Sequence, residues 1–259
     1  MLLYALGISL SAFLLFEVQP IIAKTILPWF GGTSAVWTTC MLFFQAVLLL
    51  GYLYAHWLHE KLAPRKQAFL HIAVLAASLA TLPILPNPAW KMADVAHPSQ
   101  RILLLLSLTV GLPYFLLSST SPLLQAWYSR RNRGGLPYRL FALSNAASML
   151  ALLTYPLLVE PNLPTRLQGY AWSAAYACFA VLCALTAWRS TGEPAAAASP
   201  EVAEAIEPPP SFAARLLWLG LAASASVLLL AVTTHLTQDI AAIPFLWIRS
   251  EERRVGKEV

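Results

Sequence analysis

Charged residues are scarce in this chain. Lys, Arg, Asp and Glu together make up 11% of its 259 residues, whereas 58% are hydrophobic. Soluble globular proteins have about 25% charged residues, so the composition excludes an ordinary soluble domain. The apolar residues fall in runs of about twenty, which is the length that crosses a hydrocarbon core of about 30 Å. The sequence therefore predicts an all-α polytopic membrane protein.

The residue sets that soluble catalysis needs are also missing. The three cysteines, Cys40, Cys178 and Cys183, fall inside apolar runs without the spacing of metal ligands. There is no Ser-His-Asp set on an accessible scaffold, and the paired glycines lie in short loops rather than in a phosphate-binding turn. We expect no metal, no cofactor and no catalysis by this chain alone. Because the basic residues occupy loops between apolar runs, we also expect no nucleic-acid partner.

Seven apolar runs predict membrane-spanning helices. An eighth run begins near Ala241 and stops after Ile248. The first six predict a transmembrane bundle over residues 1–188, and the seventh and eighth lie within 213–248. The predicted spans cover residues 2–23, 34–58, 67–85, 102–127, 138–159, 168–188 and 213–236.

The distribution of Lys and Arg predicts the orientation. Nine lie in the loops that follow the second, fourth and sixth spans, and four lie in the alternate loops. Loops rich in Lys and Arg stay in the cytoplasm, which predicts a cytoplasmic N-terminus. The two groups are Lys61, Arg65, Lys66, Arg130, Arg131, Arg133, Arg139, Arg189 and Arg215, against Lys24, Lys91, Arg101 and Arg166.

Two segments differ from the rest in composition. Residues 189–212 are rich in Ala, Pro and Glu and lack the large apolar side chains of a core, which predicts a flexible or partly helical cytoplasmic linker. Residues 249–259 (RSEERRVGKEV) resemble the in-frame translation of a common sequencing adapter, so we expect an artefact there. The alternative is a basic tail that binds anionic lipid.

Several blocks resemble the membrane part of bacterial fused major-facilitator/spermidine-synthase-like proteins. The two most specific are FEVQPIIAKTILPWFGGTSAVWTTCMLFFQAVLLLGYLYAH at 16–56 and THLTQDIAAIPFLW at 234–247, and 108–128 and 137–161 are similar too. The resemblance implies a bacterial inner-membrane protein whose complete form carries a cytosolic Rossmann-like domain similar to aminopropyltransferases. This chain contains no strand and Gly-rich turn of that kind, so we expect a missing C-terminal domain. Six helices followed by a linker also resemble the first half of a major-facilitator transporter and the start of its second half.

One carboxyl group lies inside the first apolar run. Glu17 is followed by Gln19 and Pro20, and a Pro28–Gly32 turn is expected to lead into the next helix. An ionisable side chain at membrane depth costs about 2.5–3.5 kcal/mol on insertion scales, so it is expected to face protein or water. Such a group can exchange a proton or bind a cation such as an amine. The alternative is a Glu that only packs against a neighbouring helix.

Five further polar residues complete the predicted membrane site. Gln19, Gln45 and Asn145 lie inside spans, where polar side chains can also serve as contacts between helices, and for Gln45 and Asn145 the sequence favours such contacts. His235 and Asp239 lie at the end of the seventh span, at the depth expected for Glu17. We predict that these residues meet Glu17 near the outer leaflet, where the halves of the bundle join. For Asp239 the alternative is an N-terminal cap of the eighth helix.

The sequence thus favours a transporter-like domain of a spermidine-synthase-like fusion protein, embedded in the lipid bilayer and binding or moving an amine or another small solute. Two alternatives stay open. The chain can be the membrane anchor of an aminopropyltransferase-type enzyme, or it can be a structural scaffold without transport.

Overall fold

The protein is all-helical in the part that the structure describes. The computed structural model describes residues 1–31, 34–87, 98–131, 138–191 and 211–239. Two π-helical segments, Ser107–Gly111 and Tyr155–Val159, join α4 to α5 and α6 to α7. The α-helices are α1 (Leu2–Phe30), α2 (Ser34–Lys61), α3 (Pro64–Leu79), α4 (Pro98–Leu106), α5 (Leu112–Arg131), α6 (Tyr138–Thr154), α7 (Glu160–Asn162), α8 (Thr165–Ser190) and α9 (Phe212–Asp239).

Six helical stretches of the described residues are long and apolar enough to cross a membrane. At 1.5 Å per residue, the shortest of them reaches about 30 Å, the thickness of the hydrocarbon core. A helix pairs its own backbone groups, which lipid requires. The chain is therefore an integral, multi-pass membrane protein. The six stretches are Leu2–Phe30, Ala35–Lys61, Pro98–Arg130, Arg139–Asn162, Thr165–Ser190 and Phe212–Val232.

The third predicted span, residues 67–85, differs from the structure. The helix there covers only Pro64–Leu79, which is about 24 Å and too short to cross the core by itself. Beyond it the chain leaves the helix before Pro83, because a proline disfavours helical geometry in the preceding residue. The non-helical stretch lies against α8, where the Ser173 hydroxyl accepts a hydrogen bond from the Ile84 amide at 3.2 Å. Irregular backbone at this depth is tolerated when protein buries it.

The end of the first helix also differs from the prediction. We expected a turn over Pro28–Gly32, but α1 continues through Pro20 and Pro28 to Phe30. Gly31 follows the end of the helix, and its φ of 87° favours glycine because a side chain there is strained. A proline inside a helix removes its own backbone donor and its ring clashes with the carbonyl four residues earlier, and α1 stays helical in spite of both effects because it is packed on several sides by the bundle.

The six segments predicted within residues 1–188 alternate in direction. One buried layer joins the starts of α1, α3 and α6 to the ends of α2, α5 and α8. Tyr4 packs edge-on against Tyr128 in this layer. The basic residues Lys61, Arg65 and Arg189 belong to the same helix ends, so the loops rich in Lys and Arg share one end of the bundle. The layer contains Tyr4, Ile8, Ala55, Leu58, Ala68, Leu123, Leu124, Trp127, Tyr128, Leu140 and Ala187.

Helix α1 is the centre of the bundle. It packs against α5, α6 and α8, and its buried residues include Leu14, Glu17, Ile22 and Ala23, which lie on different faces of the helix. A helix that is apolar on all sides is buried. Its position inside the bundle therefore decides where Glu17 lies.

The chain divides into two compact units. The first holds α1, α3 to α8 and α2 from Thr39, and the second holds α9 and the start of α2. Within the second unit, α9 exposes large apolar side chains such as Leu217, Trp218 and Leu228, as expected for a helix in lipid. Residues 192–210, most of the predicted linker, and 240–259, with the predicted eighth helix and the adapter-like segment, lie outside the described residues.

Candidate functional site

A carboxyl group is buried in the middle of the bundle. Glu17 lies on α1 and is only 5% exposed. Its Oε2 atom has no hydrogen-bond partner among the described residues. Buried polar atoms normally have a partner, and an unpaired buried charge is strongly unfavourable. This oxygen is therefore suited to hold a proton or to contact a cationic ligand.

Tyr155 joins the second π-helical segment to α8. It is the first residue of the second π-helical segment, and its hydroxyl group lies within electrostatic range of Glu17 and of Glu160. The hydroxyl donates a hydrogen bond to Gln168 Oε1 at 3.3 Å. Gln168 Nε2 in turn donates to the Leu163 carbonyl at 2.8 Å. Segments of π-helix are frequent at functional sites, and this one places a buried hydroxyl within electrostatic range of two carboxyl groups.

An ion pair lies at one end of this polar group. Lys24 Nζ on α1 is 3.1 Å from Glu160 Oε1 on α7, and the two side chains are 18% and 10% exposed. Lys24 follows Glu17 by seven residues, so the two lie on the same face of α1, separated by about 10 Å along its axis. We call Glu17, Lys24, Tyr155 and Glu160 the α1–α7 cluster. It contains two carboxyl groups and one ammonium group.

Gln19 lies beside Glu17 on α1 but faces a different helix. Its Nε2 atom donates to the Tyr114 hydroxyl on α5 at 3.2 Å and to the Leu15 carbonyl at 3.4 Å. Tyr114 is itself buried and packs against Phe44. Gln19 therefore joins α1 to α5. A contact between helices is the alternative role that the sequence allowed for this residue.

Gln45 and Asn145 have exposed side chains on α2 and α6. Glu17, in contrast, is buried on α1. Their part in a membrane site stays a prediction.

His235 and Asp239 lie on α9. The side chain of His235 is exposed, and Asp239 is the last residue of the helix. The Asp239 side chain and the helix that it was expected to cap lie outside the described residues. Because α9 belongs to the second unit, a shared site with Glu17 stays a prediction.

A second polar group lies near the opposite end of α1. Gln67 is 1% exposed, and its Oε1 atom accepts hydrogen bonds from Trp127 Nε1 at 2.9 Å and from Arg130 at 3.2 Å. Its Nε2 atom donates to the carbonyl groups of His59 and Leu62 at 3.1 and 2.7 Å. All four contacts are internal, so Gln67 fastens the loop between α2 and α3 to α5.

His71 belongs to the core. It is fully buried, with Nδ1 3.4 Å from the Tyr54 hydroxyl and Nε2 3.6 Å from Cys183 Sγ. Its ring also packs edge-on against Trp127. Both ring nitrogens therefore have neighbours inside the protein.

The sequence did not single out most of the α1–α7 cluster. Lys24 entered the topology argument only, and Tyr155, Glu160 and Gln168 were not recognised. The spacing of Lys24 from Glu17 was a usable signal, because seven residues return to the same helix face. Nothing in the sequence indicated that α6 to α8 would bring Tyr155 and Glu160 to that face. Within the described residues, no three His, Cys, Asp or Glu side chains are grouped so that they could hold a metal ion.

The fold and the cluster define an integral membrane protein with a buried carboxyl group and a neighbouring ion pair. Comparison with known proteins found no matching family model, no matching curated protein and no matching solved structure.

Proposed function

We propose that this chain is a transporter-like membrane domain that binds a small cation at Glu17 and moves it across the bilayer. The observation that carries the proposal is the buried Glu17 Oε2, which has no hydrogen-bond partner in the described part of the chain. A Glu that served packing alone is expected to have its polar atoms paired. A carboxyl group kept unpaired at membrane depth costs stability, and function is the usual reason for keeping one.

The chemistry of the site favours a cation of single charge. A carboxylate in a low-dielectric site becomes stable when it takes up a proton or forms an ion pair with an ammonium group. Tyr155 adds a hydroxyl group nearby and no charge of its own. A proton and an organic amine are therefore the two ligand classes, and the resemblance to spermidine-synthase-like fusion proteins favours the amine.

The resemblance also extends the proposal to the whole protein. We propose a bacterial inner-membrane protein with a cytoplasmic N-terminus, whose complete form joins a major-facilitator-like bundle to an aminopropyltransferase-like domain. The alternating direction of the six segments and the shared end of the basic loops support this reading.

The test is ion flux in proteoliposomes that contain the chain. An inside-negative potassium potential drives uptake of labelled butylammonium, an amine with a single positive charge, and an enclosed pH-sensitive dye records proton entry in parallel. We expect Glu17→Gln to lower one of the two fluxes by at least about tenfold, since the variant cannot ionise at the binding position. The flux that falls identifies the ligand class.

The matched control is Glu60→Gln. Glu60 is an exposed carboxylate that pairs with His56 on the surface of α2, so its removal leaves the flux at the wild-type level. If both fluxes in Glu17→Gln equal those of wild type, while the variant elutes as a folded protein in the same yield, the transport proposal is wrong and an anchor or scaffold is favoured.

A further inference from the structure

We propose that the end of the bundle where α2 and α8 end and α3 begins is a binding surface for the headgroups of anionic phospholipids. Four exposed cationic side chains form this surface, which we call the basic rim: Lys61, Arg65, Lys66 and Arg189. The inference concerns the outside of the bundle, so it does not depend on Glu17 or on transport.

The fold brings the basic rim to one end of the bundle. Helix α3 packs against α8. The buried layer contains Leu58 near the end of α2, Ala68 near the start of α3 and Ala187 near the end of α8. Every residue of the rim lies within three positions of one of these buried side chains in the sequence. The four positive charges therefore surround the same buried layer.

The charges of the basic rim are not neutralised by the part of the chain that the structure describes. None of the four side chains forms an ion pair or a hydrogen bond with a described residue, because the ion pairs found there are Lys24 with Glu160 and His56 with Glu60. Unpaired positive charges attract anions, and the planar guanidinium group of Arg binds phosphate through two parallel hydrogen bonds. The rim thus has the charge that complements a phosphate group.

Exposed aromatic rings accompany three of these charges. Each ring lies on the side of its charge that is nearer to the middle of the helix, at a distance of one residue or one turn in the sequence. Large rings at this level are typical of the boundary between acyl chains and headgroups. The rings are 47%, 76% and 72% exposed, in the order of the pairs Trp57 with Lys61, Phe69 with Arg65, and Trp188 with Arg189.

This order of rings and charges favours a phospholipid over a soluble phosphate ion. A turn of helix rises 5.4 Å, so a charge one turn beyond an interfacial ring reaches the level of the lipid phosphate. The ring then contacts the upper part of the acyl chain, which a free ion does not have. Basic residues between helices at a membrane surface bind anionic lipid in this way, and each contributes about fivefold to the preference.

The experiment measures which lipid lies beside the basic rim. In a background in which Cys40, Cys178 and Cys183 are replaced by Ala, Leu185→Cys carries a bimane label. Leu185 is exposed and lies one turn before Arg189 on α8. In phosphatidylcholine vesicles, we compare quenching of the label by nitroxide-labelled phosphatidylglycerol and by nitroxide-labelled phosphatidylcholine. We expect half-maximal quenching at an about fivefold lower mole fraction of the anionic lipid.

Variants of the rim separate its charge from other effects. Replacement of all four rim residues by Gln is expected to make the two quenching curves coincide, and Arg189→Gln alone is expected to lower the preference to less than about twofold. Arg65→Lys with Arg189→Lys keeps the charges and the preference. The matched control is Arg166→Gln, an exposed residue at the opposite end of α8, which leaves the curves as in the wild-type chain.

Three results would overturn the inference. The first is coincident quenching curves for the wild-type chain, which would leave the rim with a role in topology alone. The second is an unchanged preference in Arg189→Gln, a single exposed substitution that is compared with the wild-type chain at equal Tm. The third is displacement of nitroxide-labelled phosphatidylglycerol by inorganic phosphate at constant ionic strength, which would identify a site for a free anion.

Discussion

At the scale of single residues, polar side chains inside this bundle have two kinds of surroundings. Gln67 has every one of its hydrogen-bonding atoms engaged by other protein groups. Glu17 is buried to a similar degree but keeps one oxygen without a partner in the described part of the chain. The paired atoms of Gln67 stabilise the fold, whereas the unpaired oxygen of Glu17 can accept a hydrogen bond from a ligand or bind a cation. Burial alone therefore does not identify a functional residue in a membrane protein.

The role of Gln67 can be tested by Gln67→Leu. The change removes the acceptor of Trp127 and Arg130 and the donor to the carbonyl groups of His59 and Leu62, and buried groups left without partners cost about 1–3 kcal/mol. We expect a clear fall in Tm, measured by thermal unfolding in detergent. Gln45→Leu, on an exposed side chain, is the control and leaves Tm unchanged. Equal Tm values for both variants would show that the Gln67 contacts are dispensable.

At the scale of helices, close approach depends on residues without side chains. Gly51 on α2 lies against α5, where an added Cβ would overlap Ser118 Oγ and lie 2.9 Å from the Phe115 carbonyl oxygen. Gly220 on α9 has nothing within 4 Å of the same position. The two glycines share a helical backbone and differ in their packing only.

This difference predicts opposite outcomes for the same substitution. Gly51→Ala forces α2 away from α5, and overpacking of this kind costs about 1–3 kcal/mol. Gly220→Ala stays neutral or gains a few tenths of a kcal/mol, because alanine is the better helix former. Thermal unfolding of the two variants, side by side, measures the contrast. Similar Tm values would mean that α2 does not pack this closely on α5.

Helix α3 shows how local signals and packing combine. The apolar run from 67 to 85 has the length of a span, but the helix stops at Leu79. Pro83 and Pro86 disfavour a continued helix, and the side chain of Ser173 supplies the hydrogen bond that the freed Ile84 amide needs. The prolines are visible in the sequence, whereas the partner on α8 is not.

At the scale of the whole molecule, the bundle has two polar ends about 30 Å apart along α1, from Tyr4 to Lys24. This distance equals the hydrocarbon thickness, so Glu17, about 10 Å from the level of Lys24, lies at membrane depth. The loops rich in Lys and Arg share the end of Tyr4. The positive-inside rule predicts that this end lies in the cytoplasm, and this orientation stays a prediction.

The orientation can be tested by labelling single cysteines. In a background without Cys40, Cys178 and Cys183, we expect Arg166→Cys to react with a membrane-impermeant maleimide in intact cells. Glu60→Cys, at the other end of the bundle, is expected to react only after the membrane is opened. Both positions are exposed, so access by the reagent depends on the side of the membrane. The reverse labelling pattern would place the N-terminus outside.

The sequence by itself determined the class of this protein and its most unusual residue. Long apolar runs can satisfy their backbone groups in lipid only as helices, and a lone Glu17 within such a run has to be shielded or used. Those conclusions need no tertiary contacts. The predicted neighbours of Glu17 were less secure, because Gln45 and Asn145 were included only as polar residues inside spans, and His235 and Asp239 were included by their expected depth.

The tertiary structure alone decided which helices pack against the part of α1 that carries Glu17. The packing of α1 against α5, α6 and α8 places Tyr155 within electrostatic range of Glu17 and joins Lys24 to Glu160 across 136 positions of sequence. Periodicity fixes the face of a helix on which a residue lies, but the rotation of each helix about its own axis is set by the close packing of all its neighbours. Because of these rotations, Gln19 faces α5 and Gln45 is exposed. The same packing buries the carboxyl group of Glu17.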